Sequence, residues 1–156
     1  MEGVEEVPEV GEKRTWSMRL NKFKTEYSFN KWFRKNWKKF PFTEFNMRIT
    51  EDPVEIGRLT DKNKTIGMVI YNHFGDDMYI VTFEIQEKYR GRGYGKEMFN
   101  LLLKEEKPKW ILLDFCKGDK DSMMFWKSMG FHRRRKYSVS DTEMYRVIKK
   151  KDYEVE

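Results

Sequence analysis

Residues 78–104 read M-Y-I-V-T-F-E-I-Q-E-K-Y, then R-G-R-G-Y-G, then K-E-M-F-N-L-L-L-K. The first part reads as a strand and the last as a helix, with a glycine-arginine turn between them. Gly91, Gly93 and Gly95 stand at alternate positions and remove side chains where the backbone turns. Successive N–H groups can therefore converge on one point outside the fold. A helix starting near Gly93 adds its unpaired first-turn N–H groups and the positive end of its dipole. Arg90, Arg92 and Lys96 add full charges. The ligand predicted for this turn is a phosphate or pyrophosphate.

The rest of the chain bounds what such a site can belong to. A length of 156 residues predicts one domain with a sizeable core. The longest apolar runs, such as Ile111 to Leu113, fall far short of the roughly 20 residues that cross a bilayer. Met1 to Val10 is acidic where a signal peptide would be basic and then apolar, so the expectation is a cytoplasmic protein without a membrane partner. Cys116 is the single cysteine, which rules out an internal disulfide, and with only His73 and His132 beside it no zinc spacing exists. No metal is expected.

The net charge of +6, from 32 Lys and Arg against 26 Asp and Glu, hides an asymmetry. Residues 2–12 are acidic, whereas residues 13–40 carry Lys13, Arg14, Arg19, Lys22, Lys24, Lys31, Arg34, Lys35, Lys38 and Lys39 against the single acid Glu26. Such a block could face nucleic acid, an anionic membrane or an acidic protein; the plainer reading is a solvated helix face.

Residues 1–12 read as an acidic, disordered lead, residues 13–150 as one domain and residues 151–156 as a tail. A first strand is predicted over Thr15 to Leu20. Ser28 is expected to cap a helix in which Phe29, Trp32, Phe33, Trp37 and Phe40 form a buried stripe, ended by Pro41. Strands follow from Val54, with turns at Asp61 to Lys64 and Gly75 to Asp77. Next come a helix to Glu106, a stop at Pro108, a buried strand W-I-L-L-D-F, a helix over Asp119 to Met129 ended by Gly130, and a closing hairpin from Phe131 to Lys149. This order predicts an α/β domain around one mixed sheet.

The pattern resembles the GNAT superfamily, the Gcn-related N-acetyltransferases that bind acetyl-coenzyme A. That family's Q/R-x-x-G-x-G/A motif is matched by Arg90, Gly93 and Gly95, and I-Q-E-K-Y-R resembles its usual V-x-P-x-Y-R apart from Glu87. Downstream, Leu113 and Phe115 fit the family's strand, Asp119 replaces an asparagine, Ser122 an alanine and Trp126 a tyrosine, and Gly130-Phe131 closes the match. Agreement runs from about Val54 to Ile148. The resemblance implies a mostly antiparallel central sheet flanked by helices. It also implies that the backbone of Gly91 to Lys96, including Tyr94, holds the pyrophosphate of acetyl-coenzyme A beside Asp119 and Ser122. Phe83, Ile85 and Gln86 would line the pantetheine arm.

For the chemistry, Glu84 is the only carboxylate inside the strand that enters the loop, on the face opposite Phe83 and Ile85, and is the candidate base. Asp76, Asp77 or a water chain are the alternatives. Many relatives protonate the departing thiolate with a tyrosine, and the indole of Trp126 cannot do so. Tyr137 or Tyr145 could substitute, the thiolate could leave unaided, or the domain could bind the cofactor without turnover. Cys116 could carry an acyl group but reads more simply as a small core residue. The expected function is acetyl transfer from acetyl-coenzyme A to an amine, with a protein lysine or N-terminus favoured over a small amine. The alternative is a catalytically weak or inactive module that binds nucleic acid or an acidic protein through residues 13–40 and 132–136.

Overall fold

The computed structural model describes residues 17–43, 54–116, 118–133 and 141–154. Its strands are β1 (Met18–Lys22), β2 (Glu55–Asp61), β3 (Lys64–Phe74), β4 (Asp77–Ile85), β5 (Trp110–Asp114), β6 (His132–Arg133) and β7 (Glu143–Val147). They form one seven-stranded sheet in the order β1-β2-β3-β4-β5-β7-β6, antiparallel throughout except where β5 lies parallel to β4. The helices are α1 (Glu26–Asn36), α2 (Tyr94–Glu106) and α3 (Lys120–Ser128). A parallel pair needs a crossover, and α2 supplies it between β4 and β5.

Local chemistry sets the turns. Lys62 and Asn63 both adopt positive φ, 49° and 69°, the geometry of a tight hairpin turn whose twist matches the strands on either side. Helix α1 begins at Thr25, not at Ser28. Its hydroxyl accepts the Ser28 N–H at 3.1 Å, and Ser28 returns the contact to the Thr25 N–H, so the serine is the second half of a capping box.

The two faces of the sheet bury different sets of side chains. On one, α2 and α3 pack Met98, Phe99, Leu102, Leu103 and Trp126 against Leu59, Val69, Ile80, Ile111, Leu113 and Met144. On the other, α1 packs Phe29 on Ile56, Met68 and Ile70, joined by Phe40. The expected aromatic stripe therefore divides. Phe29 and Phe40 are buried and Trp32 and Phe33 partly so, but Trp37 is 54% exposed. The reason is that α1 ends at Asn36 and continues as a tighter 3₁₀ turn, Trp37–Lys39, whose different spacing turns Trp37 outward. The first strand lies at Met18–Lys22; Thr15 and Trp16 of the expected strand lie outside the described residues. Cys116 is exposed, not a core residue, because it follows the last residue of β5. Beyond β7, Lys150–Asp152 forms another 3₁₀ turn, with Asp152 3.1 Å from Arg146 and Tyr153 packed on the main core. No helix among the described residues is long and apolar enough to cross a membrane.

A polar cluster ties the end of α2 to the sheet edge. Glu106 accepts from Tyr71 at 2.7 Å, lies 2.8 Å from His73 Nδ1 and is paired with the Lys22 ammonium, which also reaches Glu55. Glu55, His73 and Glu106 hold their ligand atoms within 4.8 Å of one another, with Lys22 as the cation among them. Burial pushes the Glu106 carboxyl up, but Lys22, Tyr71 and His73 together hold it down at about 2. Because that value lies below its ordinary 4.5, its contribution to stability is complete above the unfolded pKa and is lost as pH falls through the folded one. Glu106→Gln is expected to cost ~2 kcal/mol at neutral pH. The gap from the native chain should narrow between pH 4.5 and about 2, read by urea denaturation at each pH.

Candidate active site

The site is built where β4 and β5 part. Ile70 faces Thr82 and Tyr71 faces Ile80, so Val81 is an extra residue in β4, a bulge that raises local twist. The last β4–β5 pair is Ile80 with Leu113. Beyond it, Thr82 to Ile85 stay paired with β3 and, among the described residues, have no strand on their other side. An open strand edge at a fork accepts an extended chain through backbone hydrogen bonds. Phe83 and Ile85 do not reach into the fork with their side chains. Phe83 packs on Phe125 and Trp126 with ring centroids 5.7 and 4.9 Å away, and Ile85 joins the same core. They hold the strand, and its backbone is what remains available.

Past β4 the chain makes a 3₁₀ turn, Glu87–Tyr89, and enters the glycine loop. Gly91 and Gly93 have φ of 74° and 86°, which other residues adopt only with strain, whereas Gly95 is small because α3 comes close. A Cβ at Gly95 would lie 3.1 Å from the Phe125 ring. Gly93 is the N-cap of α2 and provides no side-chain cap, so the amides of the first turn point outward for an acceptor from outside. Lys96 is exposed beside them. Tyr94 is different: its ring is buried, edge-on to Tyr89 at 5.7 Å. Arg90 folds back, with Nε donating to the Ile85 carbonyl at 2.9 Å and its guanidinium 3.4 Å from Glu84.

Glu84 is buried on the α1 face, across from Met68. Its carboxylate accepts from the Thr43 hydroxyl at 2.6 Å and the Phe42 N–H at 3.2 Å, besides Arg90. It fastens the segment after α1 to the strand that enters the loop. Gln86 donates to the Thr65 carbonyl at 2.5 Å and so faces β3. Asp119 caps α3 by accepting from Asp121 and Ser122 N–H, and Ser122 takes the Cys116 N–H at 3.3 Å. Both hold the turn from β5 to α3. Trp126 is buried among Phe83, Phe99, Phe125 and Phe131. Tyr145 stacks on Trp110 at 4.9 Å, and Tyr137 lies outside the described residues.

A hydroxyl–carboxylate group that sequence reasoning missed stands at the mouth of the fork. Asp114 is the first β5 residue past the last β4–β5 pair; it accepts from Tyr79 at 2.7 Å and from Thr142 at 2.8 Å. Tyr79 shares the α1 face with Thr82 and Glu84, because the bulge shifts their alternation by one. Burial first, then the contact with Asp114 and the charge of Glu143, hold the Tyr79 hydroxyl well above its ordinary range, so it stays neutral. Asp114 itself is exposed. The β4–β5 register, with Tyr79 opposite Leu112, brings Tyr79 and Asp114 to one face, and that pairing leaves no compositional mark in the sequence.

A glycine loop leading into an uncapped helix N-terminus therefore stands beside a forked mixed sheet. The family model for the acetyltransferase (GNAT) family matches residues 21–131, and the chain belongs to that family. It is an acyltransferase whose cofactor is acetyl-coenzyme A. A comparison with curated protein sequences finds no match. Solved structures share the fold at low identity. Tetrahymena GCN5 matches with a TM-score of 0.64 and 14% identity over 84% of this chain and 96% of that one. Arabidopsis thaliana Naa50, solved with the bisubstrate analogue CoA-Ac-MVNAL, gives 0.58 and 19% over 83% and 95%. YhhK of E. coli, solved bound to coenzyme A, gives 0.62 and 13% over 83% and 98%.

Gly93→Glu places strain, bulk and negative charge at the N-cap together. Coenzyme A binding by this variant, measured by calorimetry, is expected to weaken at least about 100-fold. Unchanged affinity in a folded variant would remove the loop from the site.

Proposed function

We propose that this chain acetylates a protein amine, a lysine side chain or an N-terminus, and that Tyr79 and Asp114 prepare the amine for attack. The observation that carries the reading is the Asp114 carboxylate, oriented by two hydroxyls at the mouth of the fork. The loop and the open edge of β4 fit the donor. Amides of Gly91 to Lys96 would hold the pyrophosphate and the backbone of Val81 to Ile85 the pantetheine arm, and the bound donor supplies an acetyl thioester. The bisubstrate analogue bound to Naa50 makes a peptide acceptor the first class to test.

A lysine or N-terminal amine arrives largely protonated near neutral pH and must lose a proton before its nitrogen can attack a carbonyl carbon. Asp114, exposed and acceptor-only when ionised, takes that proton directly or through water. Tyr79 and Thr142 fix the direction of its lone pairs. Glu84, the other candidate base, is buried and already accepts from Thr43, Phe42 and Arg90. Trp126 contributes packing. Loss of the thiolate needs no protein acid, since a thiolate is a good leaving group.

Coenzyme A release over a panel of peptides tests this. Asp114→Asn is expected to lower kcat/KM by about 100-fold, within the usual range for a general base, and Tyr79→Phe by about tenfold. Glu84→Gln should retain more activity than Asp114→Asn; the reverse order would assign the base to Glu84. Trp126→Phe should keep kcat within about twofold while lowering stability by ~1 kcal/mol. Tight coenzyme A binding without release for any amine would favour a non-catalytic module.

A further inference from the structure

Between Lys24 and Lys39 the sequence carries Lys24, Lys31, Arg34, Lys35, Lys38 and Lys39, opposed only by Glu26. Helical spacing places Tyr27, Lys31 and Arg34 along one stripe of α1, on the side opposite Phe29 and Phe33, and the 3₁₀ turn that follows adds Lys38 and Lys39. All six cations are exposed, and none of them forms an ion pair or a hydrogen bond. Elsewhere Lys22, Arg90, Lys109 and Arg146 each find a carboxylate, whereas this segment offers its six cations only Glu26. A helix face that serves solubility alone mixes both signs, because like charges at this spacing repel.

The same segment exposes flat rings. Tyr27 is 76%, Trp37 54% and Phe42 62% exposed, and Lys38 lies 5.7 Å from the centroid of the Trp37 ring. An acidic polypeptide would use the cations and leave the rings in water. A membrane surface would need a continuous apolar strip, and the apolar side of α1 is already spent on Ile56, Met68 and Ile70. Single rings interleaved with unpaired cations match a strand that offers phosphates and unstacked bases alternately.

We propose that the outer face of α1 and the turn after it bind a single-stranded nucleic acid, with the six cations on phosphates and Trp37 stacked on a base. The surface runs as far as Phe42, whose N–H donates to Glu84 at 3.2 Å, so a bound strand ends beside the candidate active site. This proposal stands apart from acetyl transfer, and its test contains no acyl donor.

Fluorescence anisotropy with labelled oligouridylate and oligothymidylate of about 12 nucleotides reads the binding. Both should bind, with log Kd against log salt changing by about 4 if all six cations engage phosphates. Trp37→Ala should weaken binding about tenfold with an unchanged circular dichroism spectrum. The double substitution Lys35→Glu, Lys38→Glu should weaken it further and reduce the salt dependence. Poly-glutamate and phosphatidylserine vesicles, tested alike, should bind at least tenfold less well than the oligonucleotides, and Trp37→Ala should leave their affinity unchanged. The proposal is overturned if neither oligonucleotide binds, if Trp37→Ala binds them as well as the native chain, or if poly-glutamate or vesicles bind as tightly.

Discussion

The separation of β4 from β5 is the constraint on which the site depends. The strands pair from Asp77 to Ile80 and then diverge, and Val81 bulges at the point of departure. Up to Ile80, Met78 and Ile80 face the helices α2 and α3. After the bulge, Phe83 and Ile85 take over that face, leaving Tyr79, Thr82 and Glu84 on the α1 side. Without the extra residue the alternation would run unbroken and Phe83 and Ile85 would leave the core, a register change that the packing of Phe125 and Trp126 forbids. The fork is thus held open by hydrophobic burial on one face of a strand whose far edge is left unpaired.

What surrounds the fork follows from that placement. The chain leaves β4 towards α2 through Gly91 and Gly93, whose positive φ values aim the helix amides outward at the end of the open edge. Glu84 draws Phe42, Thr43 and Arg90 together and so couples the segment after α1 to the loop. Asp114 lies directly across the gap, steadied by Tyr79 and Thr142. The open edge of β4 thus borders one side of the gap and a carboxylate the other, the arrangement on which the proposed amine acetyl transfer relies.

Much of this was legible in the sequence, for identifiable reasons. Alternating glycines between a β-rich run and a helical run have few other uses, so the loop and the elements either side of it read directly. The helix over Lys120 to Ser128 was legible because Asp119 and Gly130 mark its ends. The bulge was not, since one unpaired valine in a β-rich run has no signature. Tyr79 and Asp114 were not legible either, because the β4–β5 register that sets Tyr79 opposite Leu112, beside Asp114, is written in neither strand alone. Trp37 was misassigned because helical spacing was carried past Asn36 into a turn of different pitch. The capping serine was misjudged for the opposite reason, as a capping box contains two acceptable caps and spacing alone does not choose between them.

Backbone amide shifts during titration of the isotope-labelled 19.2 kDa protein with coenzyme A test the central claim most directly. The account requires Gly91, Gly93, Gly95 and Lys96 to shift together with Val81 to Ile85, since one ligand would occupy both the loop and the open strand edge. Shifts confined to α1 or to the β7 end of the sheet, with the loop and Val81 to Ile85 unmoved, would contradict it.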